Sequence, residues 1–279
     1  MRLRRPTLGL RWYFEHNDGH LMDKWDHYFD VYERHFGPFR GRKPKMLEIG
    51  VSHGGSLQMF RHYLGRGTTI VGIDVHERIV GLAEPGIVPE VGSQSDLDFL
   101  ADVCRRHGPF DIILDDGSHW YRDQRASLHA LWPHLVDGGV YLVEDVHTSY
   151  MARYEGGLGR DDTFIGETQR RVDDLHRYWL DDEGVEGEGP NDWTTSMTGI
   201  HVYDSIVVFD KGVHSAPVRR MTGRPAFETI YGFPADDMIT DDHRAQLAAL
   251  NTPPARVRRA LRDPRAAWQR LAARLRSSE

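Results

Sequence analysis

With 279 residues, 39% of them apolar, and a formal net charge of −7 at pH 7, the chain is sized for one large core with additions and lacks the basic surplus of a nucleic-acid binder. No apolar run approaches the roughly 18 residues of a bilayer-spanning helix, and Met1-Arg-Leu-Arg-Arg5 leads into polar sequence rather than a signal-peptide core, so a cytoplasmic location without a membrane partner is expected. Cys104 is the single cysteine, which excludes an intrachain disulfide and reads as helix packing.

Residues 1–44 read as a helical segment ahead of the sheet. Trp25, Tyr28, Phe29, Tyr32 and Phe36 recur at three- and four-residue spacing, predicting a helix over about 22–35 whose aromatic face packs into the core. Gly37-Pro38 and Pro44 then punctuate the approach to the first strand. From Lys45 the pattern alternates, with strands at 46–49, 70–74, 88–91, 112–116 and 140–144 and helices near 56–63, 96–106 and 121–134. That rhythm predicts an α/β fold, a doubly wound Rossmann-like domain over 45–215 with a mostly parallel sheet. Residues 151–195 interrupt it: 154–159 is Gly-rich, 164–179 helical, and 181–191 acidic and Gly-rich. Such an insertion is either a lid over a site or a surface excursion. Short strands at 200–203 and 205–209, separated by Asp204, extend the sheet at an antiparallel edge. Residues 216–279 form an extension whose tail from Asn251 holds eight Arg against Asp263 and Glu279, a basic helix suited to solvent or a subunit contact.

The segment Glu48-Ile-Gly50-Val-Ser-His-Gly54-Gly55-Ser56 follows the first strand and opens a helix, so its glycines allow a tight turn and close approach to a ligand. Its spacing is not the dinucleotide fingerprint. Asp74, at the end of the second strand, can accept hydrogen bonds from both ribose hydroxyls. The pair implies an adenosine ligand, in either a nicotinamide or an S-adenosylmethionine enzyme, and Glu48 ahead of the turn favours the latter.

Two acidic clusters cap buried strands: Asp115-Asp116-Gly-Ser-His119, and Glu144-Asp145 followed by His147-Thr-Ser-Tyr150. In an open α/β sheet ligands bind at the carboxyl ends of the strands, so acids there suggest a hard divalent cation beside a general base. Adjacent strand residues face opposite ways. Asp115 and Asp116 therefore cannot both face a metal, leaving Asp115 to hydrogen-bond amides, and Glu144 and Asp145 can do so together only if their strand is already ending. His119 reads as a base or as a helix-capping or buried structural histidine, and His147 and Tyr150 as wall residues beside a substrate.

These residues resemble the S-adenosylmethionine-dependent, metal-dependent sugar O-methyltransferases. The matching segments are Asp23-Lys24-Trp25, His27-Tyr28, Tyr32-Glu33-Arg34-His35-Phe36, Leu47 to Gly50, Gly54-Gly55-Ser56-Leu57, Gly92-Ser93-Gln94-Ser95-Asp96, Phe110 to His119, and Gly138-Gly139 through Glu144-Asp145 to Tyr150, with a looser echo from His201 to Lys211. Leu21-Met22 stands where the family usually has Gly-Thr, and family members often carry a further amino-terminal domain. The resemblance implies a class I methyltransferase fold and homo-oligomers. It implies cofactor contacts from Glu48, Gly50, Ser56, Asp74, Ser93, Gln94 and Asp115, Mg2+ or Mn2+ on Asp116, Glu144 and Asp145, and His119 as base. The acceptor would be a sugar hydroxyl of a glycosylated natural product or an oligosaccharide, its diol chelating the ion. Two other readings stay open: a cephalosporin-hydroxylase-like oxidoreductase, although such an oxygenase would want two histidines and one carboxylate, and a protein that binds S-adenosylmethionine without turnover.

Overall fold

The computed structural model describes residues 9–182 and 189–222, together with two short strands, Thr229–Ile230 and Phe233–Pro234. The chain divides into two compact units, Met1–Ala216 and Pro217–Glu279. In the second, the described elements are those two strands, paired antiparallel. The basic helix expected beyond Asn251 lies outside the described residues.

The first unit is built on a seven-stranded sheet. Its strands are β1 (Lys45–Ile49), β2 (Thr69–Asp74), β3 (Ile87–Val91), β4 (Phe110–Asp115), β5 (Leu135–Val143), β6 (Met197–Val202) and β7 (Val207–Lys211), in the order β3-β2-β1-β4-β5-β7-β6. The first five run parallel, and β7 lies antiparallel between β5 and β6. The edge expected from the sequence is therefore present, with one refinement: the later strand of the hairpin inserts next to β5 and the earlier one forms the rim. The hairpin turn is also wider than Asp204 alone. Tyr203 N donates to Ile206 O at 2.8 Å and Ser205 takes a left-handed φ of 65°, so β6 ends and β7 begins outside that turn.

Side-chain alternation divides the core between the two faces of the sheet. Met46, Ile70, Ile112, Leu114, Val140, Leu142 and Val208 point to one face, which is covered by α1 (Leu10–Glu15), α2 (Tyr28–Phe36) and α3 (Gly55–Leu64). Leu47, Val71, Ile113, Tyr141, Val143 and Phe209 point to the other, covered by α4 (Leu97–His107), α5 (Tyr121–Leu131) and α6 (Phe164–Leu175). Local signals set the helix ends. Asp96 caps α4 by accepting Phe99 N at 3.0 Å, Arg105, Arg106 and His107 favour its last turn, and Pro133 stops α5 earlier than the predicted 134.

Among the described residues, those ahead of the sheet are not a separate layer. Leu10, Tyr28, Phe29, Tyr32 and Phe36 belong to the same core as the strands. The helix predicted over 22–35 begins only at Tyr28, and Trp25, expected in the core, is 57% exposed in the irregular stretch before it. Within the 151–195 insertion, α6 docks on α5 through a buried carboxylate: Glu167 lies 2.7 Å from His129 Nε2 and 2.7 Å from Arg170 Nη2, and Arg125 and Arg171 stand 3.4 Å away. Short helices α7 (Arg177–Asp182) and α8 (Asp192–Ser196) follow, α8 closed by a reciprocal cap between Asn191 and Thr194.

Candidate active site

Where the parallel strands end, the chain turns through backbone that ordinary residues rarely adopt. Gly50, directly after β1, has φ 87°, and a Cβ built on it would stand 1.8 Å from Asp116 O, so only glycine lets these loops close on each other. His119 and Asp145 sit at φ 58° and 54°, left-handed values uncommon outside glycine and characteristic of sites where strain is held by surrounding structure.

Among the cavities along this edge, three run in sequence. The first, bounded by Ile49, Ile73, Asp74, Gly92, Ser93, Gln94 and Ser118, shares Gly50, Asp74 and Gly117 with the second, which reaches Ser52, His53 and Ser56. The third is walled by Trp25, His147, Thr148, Arg153 and Tyr154, and it shares Asp23, Lys24, Asp116, His119 and Asp145 with the second. The carboxylates and the histidine thus stand at the junction of two compartments.

Asp74 is held facing the cavities by Ser52 N and His76 N, each 2.9 Å from one of its oxygens. Gln94 bridges the loops, donating to Asp115 at 3.0 Å and accepting from Ser118 N at 2.7 Å. Asp115 itself is fully buried under Gln94 and Ser127, where burial raises its pKa against those hydrogen bonds. It positions the loop rather than reaching the cavity, as the strand alternation requires. Glu48 is likewise fully buried: Ser56 Oγ donates to one oxygen, the other has no hydrogen-bond partner among the described residues, and it lines none of these cavities. Burial raises its pKa to about 7 against the opposing charge of Lys24.

Beyond β5, which ends at Val143, both acids of the second cluster are free of the strand, and they diverge. Glu144 turns inward. Lys24 Nζ lies 3.2 and 3.0 Å from its two oxygens and also donates to Asp116, while the Tyr32 hydroxyl donates to Glu144 Oε1. Asp145 faces the junction, accepting from the Tyr28 hydroxyl, with His119 Nε2 3.6 Å and His147 Nδ1 3.8 Å away. Ligand atoms of Asp116, His119 and Asp145 all fall within 4.8 Å of one another. Burial, then the charge of Asp116, raises the pKa of Glu144, with Lys24 opposing. For Lys24 burial alone would lower the pKa, but Asp116, Glu144 and Glu48 outweigh it and hold the ammonium charged.

Residues 47–146 match a family model described as a methyltransferase domain. The seven-stranded sheet is that of the class I methyltransferase fold. Relatives that match over most of this chain are named O-methyltransferases, as the resemblance implied. The chain is 36% identical over 209 residues to demethylmacrocin O-methyltransferase of Streptomyces fradiae, covering 70% of this chain and 52% of that protein. It is 38% identical over 212 residues, covering 70% and 53%, to the 8-demethyl-8-(2-methoxy-alpha-L-rhamnosyl)-tetracenomycin-C 3'-O-methyltransferase of Streptomyces olivaceus. Among solved structures, the MycE methyltransferase of the mycinamycin biosynthetic pathway, in complex with Mg, SAH and mycinamycin VI, superposes with a TM-score of 0.60 at 29% identity, covering 74% of this chain and 54% of that one. The chain spans about half the length of the curated relatives it matches.

At this edge the structure brings Gly50, Ser56, Asp74, Ser93, Gln94, Asp116, His119, Asp145 and His147 to the cavities, and Glu144 to the third through the Lys24 cluster. Tyr150 is 49% exposed and lines none of the three; Arg153 and Tyr154 stand there instead. Sequence reasoning assigned no role to Lys24 and read Tyr28 and Tyr32 only as core. Both rings are core, but their hydroxyls reach the acids. The readable signal was a phenol at helical spacing on an otherwise apolar face, since a buried hydroxyl needs a partner.

Proposed function

We propose that this chain is an S-adenosylmethionine-dependent, metal-dependent O-methyltransferase acting on a sugar hydroxyl of a glycosylated natural product or oligosaccharide. The observation that carries this is the junction: His119 and the carboxylates of Asp116 and Asp145 border both the cavity ending at Asp74 and Gly50 and the cavity walled by Trp25, His147 and Tyr154.

The residues fit a methyl donor of adenosine type. Asp74 presents a carboxylate anchored by two amides, and Gly50 keeps the turn clear of side chains. They also fit a hard divalent ion, because the donors at the junction are mainly carboxylate oxygens and the centre already holds a cation, Lys24. Asp116 and Asp145 would hold Mg2+ or Mn2+, with Glu144 joining as Lys24 releases it. When bound, the ion supplies acidification and orientation of the acceptor hydroxyls.

The chain's own residues do the rest. His119 takes the proton of the attacking hydroxyl, the oxygen forms its bond to the methyl carbon, and the carbon–sulfur bond breaks to leave a neutral thioether. Tyr28 holds Asp145 and Tyr32 holds Glu144 in place. Trp25, His147 and Tyr154 give the sugar ring an aromatic wall, and the stretch around Tyr154 is the part of the insertion suited to a lid. Self-association and a cytoplasmic location belong to the same proposal; buried Cys104 suits a reducing compartment.

The test is a mass-spectrometric screen of sugar-bearing acceptors with S-adenosylmethionine and Mg2+. A gain of one methyl, with S-adenosylhomocysteine formed in equal amount, is expected. Tighter binding of NAD than of S-adenosylhomocysteine, with no methylated acceptor, would overturn it.

A further inference from the structure

Away from the junction, α2 and the β6–β7 hairpin bring two histidines and an aspartate together. Gly199 pairs with Asp210 across the hairpin, so Gly199, His201 and Asp210 share one face of the sheet, the face that also carries Val208 and packs under α2. Toward it α2 presents His35, three residues past Tyr32. Ligand atoms of His35, His201 and Asp210 all lie within 4.8 Å of one another.

The details suit an ion. His201 Nε2 stands 2.7 Å from Asp210 Oδ2, and the His35 and His201 rings have centroids 4.7 Å apart. His35 is buried, with Nε2 3.0 Å from the Tyr203 hydroxyl, the kind of polar partner that orients a ligating imidazole. The neighbouring Arg34 is engaged over the Tyr203 ring, 5.9 Å from its centroid. Space is kept beside the donors: a Cβ on Gly199 would come 3.2 Å from Asp210 Oδ2 and 3.8 Å from His201 Nε2. Donors about 2.1 Å from a tetrahedral ion stand roughly 3.4 Å apart, so the cluster, now within 4.8 Å, must contract by roughly 1.4 Å at most to hold one.

We propose that His35, His201 and Asp210 form a second metal site, separate from the acidic junction, that takes zinc or a similar first-row divalent ion. Two imidazoles and one carboxylate favour such an ion over magnesium. The ion braces α2 against the hairpin. Because α2 also carries Tyr28 and Tyr32, the brace steadies the helix that holds Asp145 and Glu144.

The experiment uses the full chain, stripped of metal, in an Asp116→Asn/Asp145→Asn background that removes the junction from competition. Zinc is titrated by calorimetry, and cobalt is added as a visible-absorption probe. One equivalent of zinc is expected to bind, with affinity falling roughly tenfold or more on His201→Gln and on Asp210→Asn. Cobalt should give a d–d band that both changes abolish and that Gly199→Val weakens. His201 and Asp210 are part-exposed, so the variants should keep the parent circular dichroism spectrum. Absence of a zinc equivalent in the background, or binding that neither change weakens, would overturn the site and leave two hydrogen-bonded pairs.

Discussion

Lys24 Nζ lies 3.0 Å from Glu144 Oε2, joining residues 120 apart in the chain, and the lysine side chain is only 3% exposed. A buried ammonium among carboxylates keeps an acidic centre folded when no other cation serves it, and a divalent ion drawing on the same oxygens must displace it. On the proposed function, methyl transfer and the stability of the site are coupled through this one side chain.

Lys24→Met tests that coupling. It leaves buried Glu144 and part-buried Asp116 without their cation, and a loss on the order of 3 kcal/mol is expected in chelator. Mg2+ should recover more of the melting temperature in the variant than it adds to the wild type. Equal melting temperatures in chelator would contradict the role given to Lys24.

His119→Ala separates base from metal. With calorimetry showing S-adenosylhomocysteine and Mg2+ binding retained, turnover should fall on the order of 10²–10⁴-fold. A variant turning over at the wild-type rate would make His119 structural.

The sheet was legible because its strands obey a two-residue alternation that sends Met46 and Leu47, or Ile112 and Ile113, to opposite cores. The acids were legible because nothing in a core explains Asp116 or Asp145 at a strand end. What escaped was set by distant partners. The helix starts at Tyr28 rather than Met22, with Lys24, in the stretch before it, reaching Asp116 from 92 residues away, and no local spacing reports that contact. The motif Glu144-Asp145 likewise does not say that one carboxylate turns inward to Lys24 and Tyr32 while its neighbour, at φ 54°, faces the cavity.

Asp74→Ala should weaken S-adenosylhomocysteine binding by about 1.5–3 kcal/mol, the value of a charge-assisted contact, without changing Mg2+ affinity. Calorimetry reads both. Unchanged nucleoside affinity would remove Asp74 from the cofactor site.

Glu167 governs acid stability. Burial raises its pKa, but His129, Arg170 and Arg171 outweigh burial and depress it to about 2, below the unfolded value of 4.5. The folded state therefore binds the proton less readily than the unfolded one. Its contribution is complete above pH 4.5 and is lost as pH falls toward 2. Glu167→Gln, which leaves Arg171 half-compensated, should cost on the order of 3 kcal/mol at neutral pH and flatten the melting temperature across that acid window. A variant with the wild-type acid slope would assign the slope to other carboxylates.

The most direct measurement is the initial rate of methyl transfer to an accepted sugar, taken in EDTA and again after Mg2+ is restored. Because Asp116 and Asp145 are read as ion ligands beside the base, the rate should fall to background in EDTA and return with Mg2+ or Mn2+. Full-rate methylation in EDTA would contradict the account, leaving the carboxylates structural and His119 to act without a metal.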